Sequence, residues 1–165
     1  MPRLNRSPDW RRWLILVALI LGLDQLTKLM VTSSLTLGTE IMVTSYFNLV
    51  FVLNPGAAFS FLADAGGWQR WFFTALSVII VSVLLFLVRK SPHQALFCLA
   101  ASLIMGGALG NLIDRLMIGA VIDFLDFHVA GWHWPAFNLA DAAITAGAAL
   151  FILDELLRVR RGSRA

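Results

Sequence analysis

No residue between Trp71 and Val88 carries a charge. As a helix, at about 1.5 Å per residue, that run is about 27 Å long, against a bilayer hydrocarbon core of about 30 Å. It sits in an apolar segment at about 69–88, and segments at about 12–31, 95–114 and 138–157 have similar length and character. The chain is 59% hydrophobic and 14% charged over 165 residues, where a soluble domain carries about 25% charge. A soluble domain of this size could not cover so much apolar surface, so the chain is expected to live in a membrane. Its length suits one domain, residues 1–165.

Charge placement sets the expected topology. Ten of the thirteen Lys and Arg residues fall in three clusters: Arg3, Arg6, Arg11 and Arg12; Arg89 and Lys90; Arg158, Arg160, Arg161 and Arg164. Each cluster flanks an apolar run, so the net charge of +3 reads as a positive-inside signal and not as a nucleic-acid footprint. Both termini and the 89–94 loop are then cytoplasmic, with outer loops at about 32–67 and 115–137. The arginines ahead of Trp13–Leu21 imitate a secretory signal. No Ala-x-Ala site follows, and Asp24, Gln25 and Lys28 continue the segment, so it is expected to be a retained span. Cys98 is the only cysteine, which rules out an intrachain disulfide and leaves a small buried filler.

Against this apolar background a few polar groups stand out. Counting along helices from the basic clusters puts Asp24 about 18 Å, Asp141 about 25 Å and Asp114 about 36 Å from the cytoplasmic side. Asp123 follows nine residues after Asp114. All are expected at one depth, near the outer interface, where ionisable groups are costly and default to a functional reading. Asp123 and Asp141 flank one loop. Alone, either could be a helix-capping residue. Together they suit acid–base chemistry, because two close carboxylates share one proton and so supply an acid and a base near neutral pH.

The neighbouring groups each have two readings. Asp24 and Lys28, at i and i+4, could neutralise each other or line a site. Asn111, Asp114 and Arg115 end the third span, where Arg115 could snorkel, pair with a carboxylate or hold a lipid phosphate. Gly106 and Gly110 have the small-residue spacing of close helix packing. His128 and His133 with Asp123 and Asp126 match no zinc spacing. They are expected to be interfacial, beside Trp132 and Trp134 of an aromatic belt. Residues 40–44 and 46–53 read as short strands closed by Asn54-Pro-Gly56, and the apolar 57–62 segment could rest on the membrane. The expected fold is therefore a membrane all-α, four-transmembrane-helix bundle with a small extracytoplasmic β-sheet in the first outer loop.

Five motifs occur in series: Leu23-Asp-Gln-Leu-Thr-Lys28, Asn54-Pro-Gly-Ala-Ala-Phe-Ser60, Gly106-Gly-Ala-Leu-Gly-Asn-Leu-Ile-Asp-Arg115, Val121-Ile-Asp-Phe124 and Phe137-Asn-Leu-Ala-Asp141. Across about residues 13–157 the chain resembles the bacterial lipoprotein signal peptidases (signal peptidase II). The resemblance implies a multi-pass aspartic endopeptidase of the inner membrane, with its site facing outward. It would cut prolipoproteins before the cysteine that carries diacylglycerol. It implies Asp123 and Asp141 as the catalytic pair, and Asp24, Lys28, Asn54, Gly56, Asn111, Arg115, Asn138 and Ala140 as substrate-binding or supporting positions. No metal or cofactor is expected; the partners are diacylglyceryl-modified prolipoproteins and membrane lipid, and the working unit is a monomer. Two other readings of the residues stay open: a small proton-coupled transporter, and a membrane protein that binds lipoprotein precursors without cutting.

Overall fold

A computed structural model of the chain describes residues 9–56 and 66–162; the apolar 57–62 segment lies outside them. The elements run α1 (Arg11–Ser34), β1 (Glu40–Thr44), β2 (Phe47–Asn54), α2 (Trp68–Lys90), α3 (Ala95–Met117), β3 (Val121–Val129), β4 (Trp132–His133) and α4 (Leu139–Gly162).

The central helix is α3, and its small residues put it there. A Cβ on Gly106 would lie 2.7 Å from the Ile20 Cβ of α1. One on Gly107 would strike the Ala140 carbonyl of α4, and one on Gly110 would strike the Asp24 carboxylate. Without those Cβ atoms both neighbouring helices approach the α3 backbone, the contact small residues permit in a membrane where burying apolar surface gives no net drive. The α2 helix does the opposite. Trp71, Ile79, Val83 and Phe86 stand exposed along it, as a lipid-facing helix requires. Gly119, at φ 83°, ends α3 in the left-handed conformation that releases a helix into a strand.

By length and composition α1, α2 and α3 can each cross a membrane. The expected fourth span, α4, is weaker. Asp141 near its start and the charges from Asp154 onward leave residues 142–153 uncharged between them, about 18 Å of helix.

The sheet has four antiparallel strands in the order β1-β2-β3-β4. Two of its strands were expected, at nearly these limits. The sheet is not confined to the first loop, however. β3 and β4 come from the segment between α3 and α4, where an aromatic belt alone was expected. Val121–Val129 is built mainly of branched and aromatic residues interrupted by Asp123, Asp126 and His128, and β2 completes its ladder with Val52 opposite Asp123 and Asn54 opposite Val121. Ala130 and Gly131, both at positive φ, form the tight two-residue turn into β4.

Two apolar clusters frame a polar layer. One gathers Val17, Leu84, Val88, Cys98, Ala101 and Met105; the other packs Val31 against Ile122 and Phe124 beneath the sheet. Between them, in sequence along α1 and α3, come Asp24, Lys28, Asn111, Asp114 and Arg115, every one buried.

Candidate active site

Most polar side chains in this layer come from the ends of elements, and those of α1 from its interior. α1 brings Asp24, Gln25 and Lys28 on one face. The last two turns of α3 bring Asn111, Asp114 and Arg115. β2 ends on Asn54, whose side-chain oxygen accepts the Gly56 N–H at 3.0 Å, a local bond that closes an Asn-Pro-Gly turn. β3 carries Asp123 in its first turn of pleat, and α4 opens with Asn138 and Asp141.

Asn138 joins the two expected catalytic carboxylates. Its amide nitrogen donates to Asp123 Oδ1 at 2.7 Å. Its amide oxygen accepts the Asp141 N–H at 2.9 Å, and its own N–H donates to Asp141 Oδ2 at 3.3 Å. That reciprocal pair is a capping box, with Asn138 at the N-cap and Asp141 three residues on. Asp141 is therefore both a helix cap and a partner of Asp123. The same amide nitrogen also faces the Ile122 carbonyl at 3.2 Å and Asn111 Oδ1 at 3.3 Å. It has two hydrogens for three acceptors, so it shares them.

The outer oxygens are held as firmly. Asn54 donates to Asp123 Oδ2 at 3.0 Å, and Asn111 donates to Asp141 Oδ1 at 2.8 Å. Burial pushes the Asp123 carboxyl up from its usual range to about 7, and the negative charge of Asp141 adds to that; the Asn54 and Asn138 hydrogen bonds oppose it. Asp123 is 2% exposed, so the first cause is expected to lead.

Behind the pair lies a charge cluster. The Lys28 ammonium is 2.7 Å from Asp114, 2.9 Å from Asp24 and 3.0 Å from Asn111 Oδ1, one acceptor for each of its three hydrogens. Asp24 also accepts the Ala140 N–H at 2.9 Å, which ties the α4 start to α1. Ala140 is fully buried, in the closely packed seam where Gly110 leaves room. Arg115 donates to the Gly56 carbonyl at 2.9 Å and lies over the Phe73 ring at 5.1 Å; it thus holds the turn that aims Asn54.

All ten expected positions meet in this one layer. Gln25 was missed: its amide donates to Asp24, Asp114 and the Gly110 carbonyl. Asp126 stands apart. It accepts from Asn48 at 2.9 Å and pairs with His133 at 2.9 Å farther along the sheet. Among the described residues no three His, Cys, Asp or Glu side chains are grouped to hold a metal ion. Beside Asp141 opens an apolar cavity of about 590 Å³, walled by Trp134 and Phe137 and running along Thr145, Ala146 and Ala149 of α4.

Residues 16–157 match the family model described as signal peptidase (SPase) II. The lipoprotein signal peptidase of Paraburkholderia phytofirmans is 59% identical over 152 residues, 92% of this chain and 88% of that protein. The protein of the same name from Cupriavidus taiwanensis is 57% identical over 149 residues, 90% of this chain and 85% of its own length. A bacterial membrane enzyme structure determined in meso at 2.3 Å superposes with a TM-score of 0.79 at 30% identity, over 90% of this chain and 89% of that one. A second, at 1.9 Å, gives 0.77 at 31% identity over 88% and 92%.

Proposed function

We propose, from the premise that this chain belongs to the signal peptidase II family and is a membrane protease removing signal peptides from prolipoproteins, that Asp123 and Asp141 make the cut. The observation that carries this assignment is the Asn138 bridge between them. It holds two carboxyls in one buried site, one of them with its proton retained to about pH 7.

The chemistry follows from one shared proton. The unprotonated carboxylate takes a proton from water as the water oxygen bonds to the scissile carbonyl carbon, and the protonated carboxyl gives its proton to the carbonyl oxygen. The tetrahedral intermediate then collapses. Its C–N bond breaks as the nitrogen takes the proton held by one carboxyl and a hydroxyl of the intermediate gives its proton to the other, so the signal peptide leaves with a new carboxyl terminus and the pair again holds one proton. The Asn54, Asn111 and Asn138 amides keep the carboxyls oriented throughout, so little reorganisation is needed at the moment of reaction.

The finer reading concerns the membrane. Here α4 is the fourth span, its Asp141 satisfied within the protein and its basic end anchored in the cytoplasm with the N-terminus and the 89–94 loop. The sheet and the dyad then face the outer side of the inner membrane. Residues 1–165 form one domain acting as a monomer. The cleaved bond precedes a diacylglyceryl-modified cysteine. The apolar cavity on α4 supports that reading, since acyl chains kept in lipid hold the substrate at the depth of Asp141 and restrict its motion before reaction.

Two comparisons test this. Asp123→Asn and Asp141→Asn should each insert and purify normally yet leave a lipidated precursor uncut, and robust turnover by either sinks the dyad. An unlipidated precursor should be cut far more slowly than its lipidated form. Equal rates would point to recognition by peptide sequence alone.

A further inference from the structure

Asp114 touches neither Asp123 nor Asp141, yet it reaches both. Through Oδ2 it meets the Lys28 ammonium at 2.7 Å and accepts the Ile122 N–H at 3.2 Å, and Ile122 immediately precedes Asp123 in β3. Through Oδ1 it accepts from Gln25 at 3.1 Å. Lys28 in turn claims the Asn111 amide oxygen at 3.0 Å. An amide whose oxygen is claimed must present its nitrogen on the other side, and that nitrogen is the one that donates to Asp141 at 2.8 Å. One carboxylate, 4% exposed, thus sets the strand under one catalytic residue and, through two bonds, the donor on the other.

It also completes a charge balance. The formal charges in the layer are Asp24 and Lys28 from α1, Asp114 and Arg115 from α3, Asp123 from β3 and Asp141 from α4. β2 adds only the neutral Asn54, and Arg70 of α2 lies on the Leu116 carbonyl outside the cluster. The four supporting charges sum to zero, two against two, so removing or adding one of them unbalances the cluster behind the dyad.

We infer that Asp114 is a positioning residue for the cleavage reaction, bracketing Lys28 and pinning β3 so that the pH range of the dyad is set from behind it. This rests on the assignment of Asp123 and Asp141 as the reacting pair. Asp114→Asn keeps an oxygen for Lys28 and the Ile122 N–H, while Gln25 keeps its donations to Asp24 and the Gly110 carbonyl. What it removes is one negative charge. The supporting cluster becomes net positive, ionised carboxylates are favoured, and both limbs of the rate profile move to lower pH. Gln25→Glu adds a negative charge at the half-buried rim of the same cluster and moves them the opposite way. With a full charge added to or removed from the buried cluster behind the dyad, each displacement is on the order of one pH unit.

The test is the pH profile of kcat and of kcat/KM for the full-length enzyme in uncharged detergent, with a lipidated precursor, at fixed ionic strength. The variants are Asp114→Asn, Gln25→Glu, and the double variant, which restores the balance. The expected result is displacement in opposite directions for the singles and return toward the parent for the double. A residue that merely holds the fold would lower the rate at every pH and leave the limbs in place. Unmoved limbs in whichever variants fold, or two singles shifted the same way, overturn the inference. Turnover by Asp123→Asn, or a parent profile without two limbs, would instead overturn the dyad assignment beneath it.

Discussion

Replacing Asn138 separates two roles that one side chain performs. Its amide oxygen caps α4 at the Asp141 N–H, and its amide nitrogen donates to Asp123 at 2.7 Å. Asn138→Ser keeps an oxygen at the cap and loses the donor; Asn138→Ala loses both. A lost N-cap costs about 1 kcal/mol of stability, which should appear as a lower unfolding midpoint for Ala than for Ser. A hydrogen bond to a charged group contributes about 1.5–3 kcal/mol. At about 1.4 kcal/mol per tenfold, its loss from a reacting carboxylate slows cleavage by roughly 10- to 150-fold in both variants. There is a further signature. The Asn138 bond holds the Asp123 carboxyl down, so without it the alkaline limb of the profile should move to higher pH. Gel-based cleavage of a lipidated precursor from pH 4 to 9, with thermal unfolding in the same detergent, reads all three effects. A Ser variant that cuts at the parental rate across that range refutes the bridging role. Equal melting of Ser and Ala refutes the cap.

Other outcomes follow from the same contacts. The Asp123 carboxyl keeps its proton to about 7 in the folded chain but only to about 3.9 when unfolded. Its contribution to stability is therefore full below about pH 4 and lost as pH rises toward 7; Asp123→Asn should flatten that slope, and melting curves with identical slopes would contradict it. Arg115→Ala should impair cleavage far more than Arg70→Ala, because Arg115 holds the Gly56 carbonyl while Arg70 rests on Leu116; comparable rates would count against the turn as a support. Gly110→Ala forces a methyl onto the Asp24 carboxylate, so it should lower both the unfolding midpoint and activity, and a parental midpoint would show that the helices have room to separate.

The spans α1, α2 and α3 were legible from composition, and charged or amide groups in or beside apolar runs drew attention to Asp24, Lys28, Asn111, Asp114, Arg115, Asp123 and Asp141; Asn54, Gly56, Asn138 and Ala140 came as supporting positions only from the motif resemblance. Gln25 was not legible, since a glutamine at a span's polar edge looks like any solvated residue until a helix eighty-five positions away places its Gly110 carbonyl opposite. The second half of the sheet was obscured for a different reason. Val121–Val129 is rich in branched and aromatic residues but lacks strict alternation, its aspartates drew the reading to chemistry, and pairing with β2 is a long-range fact that no local pattern contains. The capping box was within reach: Asn138 and Asp141 have the required spacing, yet capping was weighed for Asp141 only as an alternative to catalysis and not alongside it.

The sheet that joins residues 47–54 to residues 121–129 also bears on how the enzyme comes into being. Chains emerge from the N-terminus, and domains consolidate as their segments become available. Asp24 and Lys28 insert early, but Asn54 has no Asp123 to hold until two more helices have entered the membrane, and Asp141 follows later still. A truncated or stalled chain therefore possesses supports without a blade. With Asp123 and Asp141 as the reacting pair, proteolytic capacity waits for α4 to follow β3, and a chain stopped before α4 carries no complete pair.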